Sequence, residues 1–432
     1  MLPCRDGAVR RGENMKETSL IQPTGVGERI RVLDFLRGFS LFGVLLVNMT
    51  LFRTTLFDYP RRMLDYADVT DQWVSLIIQI FISGKFISVL SFLFGLGFFL
   101  FMERAGGKGL SVVPLYLRRL FSLFVFGLLH LVFIWNGDIL HTYALAGLVL
   151  LWLRNKSLQS LRRWMVFFFV LSTIMITLAA WIEVWVQNLG EEIVQQQWLM
   201  GKMAFDTYAF GTFFEITRFR VFYELPNMAI SLLYTVPFVL VLFLAGFYAG
   251  RRNVFRDIEG NLIFIRKVWS VSGLSGILLT VFYVCIELEF LLFAPLLTIV
   301  LLEISKHISM ILLSFFYISS LLLLLASQKI SQTFLIPLAN MGRMALTNYL
   351  LQSFICVSIF YGFGLGYLGR VTLLEVLLLT LVIYILQVVF SNYWLKRYSF
   401  GPMEWVWRRI TYKKIKAKNP SLPLQSVNEK RG

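Results

Sequence analysis

Apolar runs of about twenty residues recur along this whole chain, and few folds outside a lipid bilayer can hide so many of them. They fall near 31–52, 72–102, 115–136, 138–153, 163–188, 226–250, 267–290, 303–326, 340–361 and 372–395. The pattern predicts an all-α polytopic membrane protein with about ten transmembrane helices. Hydrophobic residues make up 57% of the 432 and charged residues only 15%, where a soluble domain carries nearer a quarter charged. The run at 72–102 is too long for one perpendicular crossing, so it tilts, protrudes or breaks near Gly84. The boundary least defined by the pattern is 288–308, where Glu303, Lys306 and His307 interrupt it.

A net charge of +16 invites a nucleic-acid partner, but its distribution argues for topology instead. Arg104, Lys108, Arg118 and Arg119 fall on the same predicted side as Arg154, Lys156, Arg162 and Arg163. Arg251, Arg252, Arg256, Arg266 and Lys267 join them, as does the basic tail. The positive-inside rule then places both termini in the cytoplasm, where the basic residues favour anionic membrane lipid over nucleic acid. The organisation is a polar cytoplasmic N-terminus (1–30), a transmembrane domain (31–395) and a basic tail (396–432) with a Gly-Pro-Met-Glu-Trp motif. The tail after Ile415 has a disordered composition. Arg11-Gly-Glu13 can be encoded by a purine-rich run resembling a ribosome-binding site, which makes Met15 the expected start and residues 1–14 a mis-assigned extension. Two aromatic-rich segments, 53–71 and 189–225, are long enough to cover an outward-facing site. Cys4, Cys285 and Cys356 form neither a disulfide framework nor a metal-ligand spacing.

Polar residues inside the apolar runs are the functional candidates, because charge at membrane depth survives mainly in pairs or in cavities. In the first helix Asp34 and Arg37 lie one turn apart, with Asn48 about three turns further on the same face, roughly 16 Å along the axis. In the next cluster, His130 sits in the outer half of the third helix, Asn136-Gly137-Asp138 forms a tight turn, and Asp138 begins and caps the following helix. The turn can bring His130 to Asp138, and a carboxylate that orients a histidine makes a better general base. Helix packing is the competing account of His130, and a His130/Asp138/His141 metal site matches no established ligand spacing, so no metal is assigned. Lys85 is too deep to snorkel and requires an interior partner. In Gly342-Arg-Met-Ala-Leu-Thr-Asn-Tyr-Leu-Leu-Gln352, Arg343, Thr347, Asn348 and Gln352 form a polar seam that serves helix contact or a site. Arg37 and Arg343 could hold phosphates bidentately, although pairing with Asp34 is the simpler account of Arg37. Ten helices would also divide into the two halves of an inverted-repeat transporter, but 31–190 and 226–395 share no motif.

These residues resemble a known family. Leu33-Asp-Phe-Leu-Arg-Gly38 with Asn48, Phe92-Leu-Phe-Gly-Leu-Gly97, His130 with Gly137-Asp-Ile-Leu140, and Gly342 with Asn348-Tyr349 look like the bacterial YeiB-like membrane proteins. The stretch Phe400-Gly-Pro-Met-Glu-Trp-Val-Trp-Arg408 with Thr411-Tyr412 is the most specific match. The Leu-Asp-x-x-Arg-Gly opening is also similar, more distantly, to transmembrane acyltransferases of the acyltransferase-three and heparan glucosaminide acetyltransferase kinds. That resemblance implies acyl transfer from a cytosolic acyl-coenzyme A to an envelope carbohydrate, lipid or small-molecule acceptor, in the bacterial inner membrane and with no required cofactor. The acyltransferase-three pattern places a histidine beyond the basic residue of the first helix; here Arg37 is followed by Asn48 at that position. The heparan enzymes use a histidine shortly after the first helix, and residues 49–71 contain none. The expected base therefore moves to His130, oriented by Asp138, with Asn48 positioning a carbonyl and Arg37 and Arg343 guiding the donor phosphates. A multi-pass transporter using Lys85, Asp34 and Arg37 is the alternative.

Overall fold

Ten apolar helical segments line up with the predicted runs in a computed structural model that describes residues 31–57, 66–107, 112–327 and 332–412. Every regular element among those residues is helical. The elements are α1 (Arg31–Phe52), α2 (Val69–Phe81), α3 (Lys85–Gly107), α4 (Val112–Phe133), α5 (Leu140–Leu153), α6 (Leu158–Gln187), α7 (Glu191–Phe210) and α8 (Phe213–Phe219). After a π-helical turn at Arg220–Glu224 come α9 (Leu225–Arg251), α10 (Leu262–Glu287), α11 (Pro295–Ala326), α12 (Gln332–Arg343), α13 (Ala345–Phe360), α14 (Leu373–Arg397) and α15 (Pro402–Tyr412). Eight segments are long and apolar enough to cross a membrane among the described residues, while α5 and α13 are shorter apolar helices. The expected start at Met15, the polar N-terminus and the tail beyond Tyr412 lie outside the described residues.

The differences from the predicted boundaries have local causes. The run at 72–102 breaks at residues 82–84, where Gly84 takes φ +75°, and becomes α2 and α3. A broken helix frees carbonyls that lipid cannot satisfy. Lys85 Nζ donates to Gln79 O at 2.5 Å, and Tyr317 Oη donates to Phe81 O at 2.9 Å. The run at 340–361 is interrupted at Met344, so Arg343 ends α12 while Thr347 and Asn348 open α13. The segment 189–225 is helical, forming α7, α8 and the π turn.

Without water, helices associate through close packing and internal hydrogen bonds rather than through the hydrophobic effect. Two crossings show this. Gly38 of α1 meets Gly342 of α12, and a β-carbon on either would collide with backbone of the other helix: Leu338 O for Gly38, Asp34 O for Gly342. Gly95 of α3 and Gly246 of α9 repeat the arrangement against Phe243 O and Phe92 O. Around these crossings lie two apolar clusters, one including Phe98, Tyr116, Phe243 and Tyr349, the other Met49, Phe52, Trp135 and Phe360.

The Gly-Pro-Met-Glu-Trp motif turns the chain into α15 and returns Glu404 to the start of α13. Glu404 Oε1 accepts from the backbone N–H groups of Leu346 (2.7 Å) and Thr347 (3.1 Å), and Oε2 from the Thr347 hydroxyl (2.5 Å). The carboxylate thus caps the free N–H groups of α13 and meets the positive end of its dipole. Trp407 Nε1 donates to Arg119 O at 3.0 Å while the Arg119 guanidinium lies 3.7 Å over the Trp407 ring, tying α15 to α4. Glu404→Ala is expected to cost about 1–3 kcal/mol by orphaning these donors, read as a lower unfolding temperature in detergent. Burial raises the Glu404 carboxyl above its ordinary value, against the pull of the Thr347 and Leu346 hydrogen bonds. A carboxyl raised in the fold binds its proton more tightly there, so its contribution to stability falls as pH climbs from the ordinary glutamate range through the raised value. Glu404→Gln, which cannot titrate, is expected to flatten that fall.

Candidate functional site at the α4–α5 turn

The α4–α5 connection is a turn whose Trp135 and Asp138 are buried in protein. Helix α5 has 14 residues, about 21 Å at 1.5 Å per residue, against a hydrocarbon core of about 30 Å. Irregular backbone within a hydrocarbon core is tolerated only where protein covers it or it lines a cavity. Here it is covered. The His130 carbonyl closes α4 by accepting from both Ile134 N (2.9 Å) and Trp135 N (2.8 Å). Trp135 is buried and stacks on Phe52 at 4.2 Å. Gly127, one turn before His130, has no side chain to keep Asp138 and His141 away from α4.

Asp138 organises the turn. Its Oδ2 accepts from the His141 backbone N–H at 2.9 Å and lies 2.7 Å from His141 Nδ1. Oδ1 lies 3.0 Å from His130 Nδ1 and accepts a long contact from the Tyr349 hydroxyl at 3.4 Å. The Tyr349 oxygen in turn accepts from Ile139 N at 3.4 Å, and the ring sits 5.3 Å from that of His130. His130, Asp138, His141 and Tyr349 are all buried, His130 to 1% exposure. The His130–Asp138 contact has ion-pair length, but the Nδ1–H is not aimed along a hydrogen bond, so a small ring rotation is needed to complete one. A carboxylate facing Nδ1 favours the tautomer with its proton there, leaving Nε2 as the basic nitrogen. His130 Nε2 is buried with no hydrogen-bond partner among the described residues. His141 Nε2 has only a 3.5 Å contact with Thr142 Oγ1. Among the described residues no group of three or more His, Cys, Asp or Glu side chains is arranged to hold a metal ion.

The other sequence candidates fall in different places. Asn48 is half-buried on α1 and makes no hydrogen bond to His130 or Asp138. Arg37 Nη1 lies 2.8 Å from Asp34 Oδ1, the pairing expected of neighbours one turn apart, and its side chain keeps 30% exposure. Arg343 donates to Asn340 Oδ1 and Ser399 O, both at 3.2 Å. Asn348 is fully buried, donating to Met341 O (3.1 Å) and Ser391 Oγ (2.9 Å). Gln352 donates to Gln387 Oε1 at 2.8 Å, and Gln387 to Asn348 O at 3.1 Å. This seam fastens α13 to α14 and to the end of α12. Lys85 holds the broken end of α2. Of the sequence candidates, then, His130, Asp138 and His141 come together at the turn.

Sequence reading passed over a second buried charged group beside the same turn. Arg220 and Glu224, in the π turn, are almost wholly buried. Arg220 Nη1 donates to Val132 O at 2.8 Å, and the Tyr208 hydroxyl donates to Glu224 Oε2 at 2.8 Å. The spacing of Arg220 and Glu224, four apart in an aromatic segment, was a legible signal for a helix face turned inward. Tyr349 was also passed over as a site residue, because nothing local distinguishes it from a packing tyrosine.

Over 416 residues the chain is 34% identical to the uncharacterized protein YxaH of Bacillus subtilis (strain 168), covering 91% of this chain and 97% of the relative. The chain belongs to the YeiB-like family. It is 26% identical over 411 residues to the uncharacterized protein YeiB of Escherichia coli (strain K12), covering 92% of this chain and all of YeiB. An uncharacterized 39.9 kDa protein from the amylase 3′ region of Bacillus acidopullulyticus is 30% identical over 395 residues, 91% of this chain and 96% of the relative. Residues 249–414 match the family model described as protein of unknown function (DUF418). That stretch holds the α13 seam and the α15 motif but not His130 or Asp138. No solved structure matches the chain.

Proposed function

We propose that this YeiB-like protein transfers an acyl group from cytosolic acyl-coenzyme A to a hydroxyl or amine of an envelope carbohydrate, lipid or small metabolite. The single observation supporting this reading is His130: Nδ1 beside a buried carboxylate, Nε2 without a partner. A general base needs a ring that a carboxylate can orient and a nitrogen with no competing partner. In the proposed step the acceptor oxygen or nitrogen attacks the thioester carbonyl and its proton passes to His130 Nε2. Asp138 stabilises the resulting imidazolium. The tetrahedral intermediate then collapses, breaking the carbon–sulfur bond, and the departing thiolate takes the proton back. Asn48, whose amide makes no hydrogen bond among the described residues, is assigned to the thioester carbonyl. Arg37 is assigned to the donor phosphates, with Arg343 on the neighbouring helix of the same glycine crossing. No separate cofactor is required.

On this reading both termini are cytoplasmic, the protein sits in the bacterial inner membrane, and the roughly 16 Å from Arg37 to Asn48 is the path of the extended pantetheine arm. Radiolabelled acetyl-coenzyme A is expected to bind the protein saturably in nanodiscs, with Arg37→Ala weakening it about tenfold through loss of a charge-assisted phosphate contact. Unsaturable binding, or equal binding by the variant, would count against the donor assignment. Uptake of a substrate into proteoliposomes without chemical change would favour transport.

A further inference from the structure

The lipid-facing surface of α14 ends in a cationic collar. Its exposed apolar residues Leu374, Leu378, Val382, Ile385, Val389 and Tyr393 follow one another at steps of three or four, the spacing of a single helix face. Since α14 is long and apolar enough to cross a bilayer, this stripe faces acyl chains. The next position along it, four residues after Tyr393, is Arg397. That guanidinium lies 5.3 Å over the Tyr393 ring, where a membrane surface must lie. Helix α15 repeats the pairing: Arg409 lies 5.2 Å over the ring of Trp405, itself 52% exposed.

Between Tyr393 and Arg409 the sequence carries one acid, Glu404. The acidic side chain of α15, Glu404, is turned inward to cap α13. Lys396, Arg397 and Arg409 are exposed and form no ion pair among the described residues. The sequence that follows, Lys413-Lys-Ile-Lys-Ala-Lys418, adds four more cations. We propose that Lys396, Arg397 and Arg409, backed by Tyr393 and Trp405, form a binding collar for the headgroups of anionic phospholipid. The aromatic rings sit at headgroup level, and each guanidinium stacked on a ring keeps its N–H edge free for a phosphate oxygen.

The test is native mass spectrometry of the full-length protein released from nanodiscs holding equal phosphatidylglycerol and phosphatidylcholine. The wild type is expected to retain phosphatidylglycerol preferentially. Lys396→Gln, Arg397→Gln and Arg409→Gln are each expected to lower that preference about five-fold, with unfolding temperature in pure phosphatidylcholine unchanged. Arg397→Lys and Arg409→Lys keep the charge without the planar fork, and are expected to fall between wild type and the glutamine variants. Should a glutamine variant fail to fold, the lysine variants carry the comparison. Equal retention of the two lipids by the wild type would overturn the proposal, as would an undiminished preference in every variant. Displacement of the lipid by millimolar inorganic phosphate would also overturn it, assigning the collar to free phosphate.

Discussion

Gly342→Leu is expected to remove about 3 kcal/mol or more of stability, enough to prevent accumulation of folded protein in the membrane. The position offers no direction for a side chain, since even the first carbon would meet the Asp34 carbonyl oxygen, which is rigid helix backbone. Relief requires α1 and α12 to separate. Separation loosens Gly38 from Leu338 and shifts the end of α12, where Met341 O accepts from Asn348. The α13 seam, and with it Tyr349 beside Asp138, moves as a consequence. Gly342→Ala meets the same oxygen with one carbon and is expected to lose less than leucine but still measurably. Thermal unfolding in a fixed detergent reads both; a leucine variant as stable as wild type would show that the crossing is looser than described.

Much of the fold was written in the apolar runs, because a bilayer allows few alternatives to a spanning helix. The all-α polytopic class, the break at Gly84 and an interior partner for Lys85 follow from run length and from the cost of a buried amine. Less legible were the ends of short helices. The start of α13 depends on Glu404, some 57 residues away from Thr347, and no local pattern reports a cap delivered from that distance. Segment 189–225 looked like an extramembrane cover because its charges are mixed. Its Arg220 and Glu224 are inside only because they compensate each other and take up Val132 O and the Tyr208 hydroxyl.

The site divides in the same way. His130 and Asp138 were joined by a tight turn, so their proximity was readable; His141 shares Asp138 because it lies one turn into α5. Asn48 entered the sequence argument through its face of the first helix and through a family pattern, and it makes no hydrogen bond to the histidine. Arg37 and Arg343 share a helix crossing yet hold different partners. A linear sequence reports which residues are costly to bury, not which of them face one another across helices.

The central claim is that His130, held by Asp138, acts as a base, and the direct measurement is acyl transfer from radiolabelled acyl-coenzyme A into a membrane or soluble acceptor fraction. His130→Gln keeps polarity and approximate size without a titrating nitrogen, and is expected to lower the rate about 10²–10⁴-fold while coenzyme A ester binding and unfolding temperature stay near wild type. Asp138→Asn presents an amide to two imidazoles that one carboxylate served, disturbing tautomer and ring orientation. It is expected to lose a comparable factor in rate, together with about 1–3 kcal/mol of stability. That split between the variants separates a base from a packing histidine. The account predicts transfer by wild type that collapses in His130→Gln at unchanged donor binding; transfer that proceeds undiminished in a folded His130→Gln protein would contradict it.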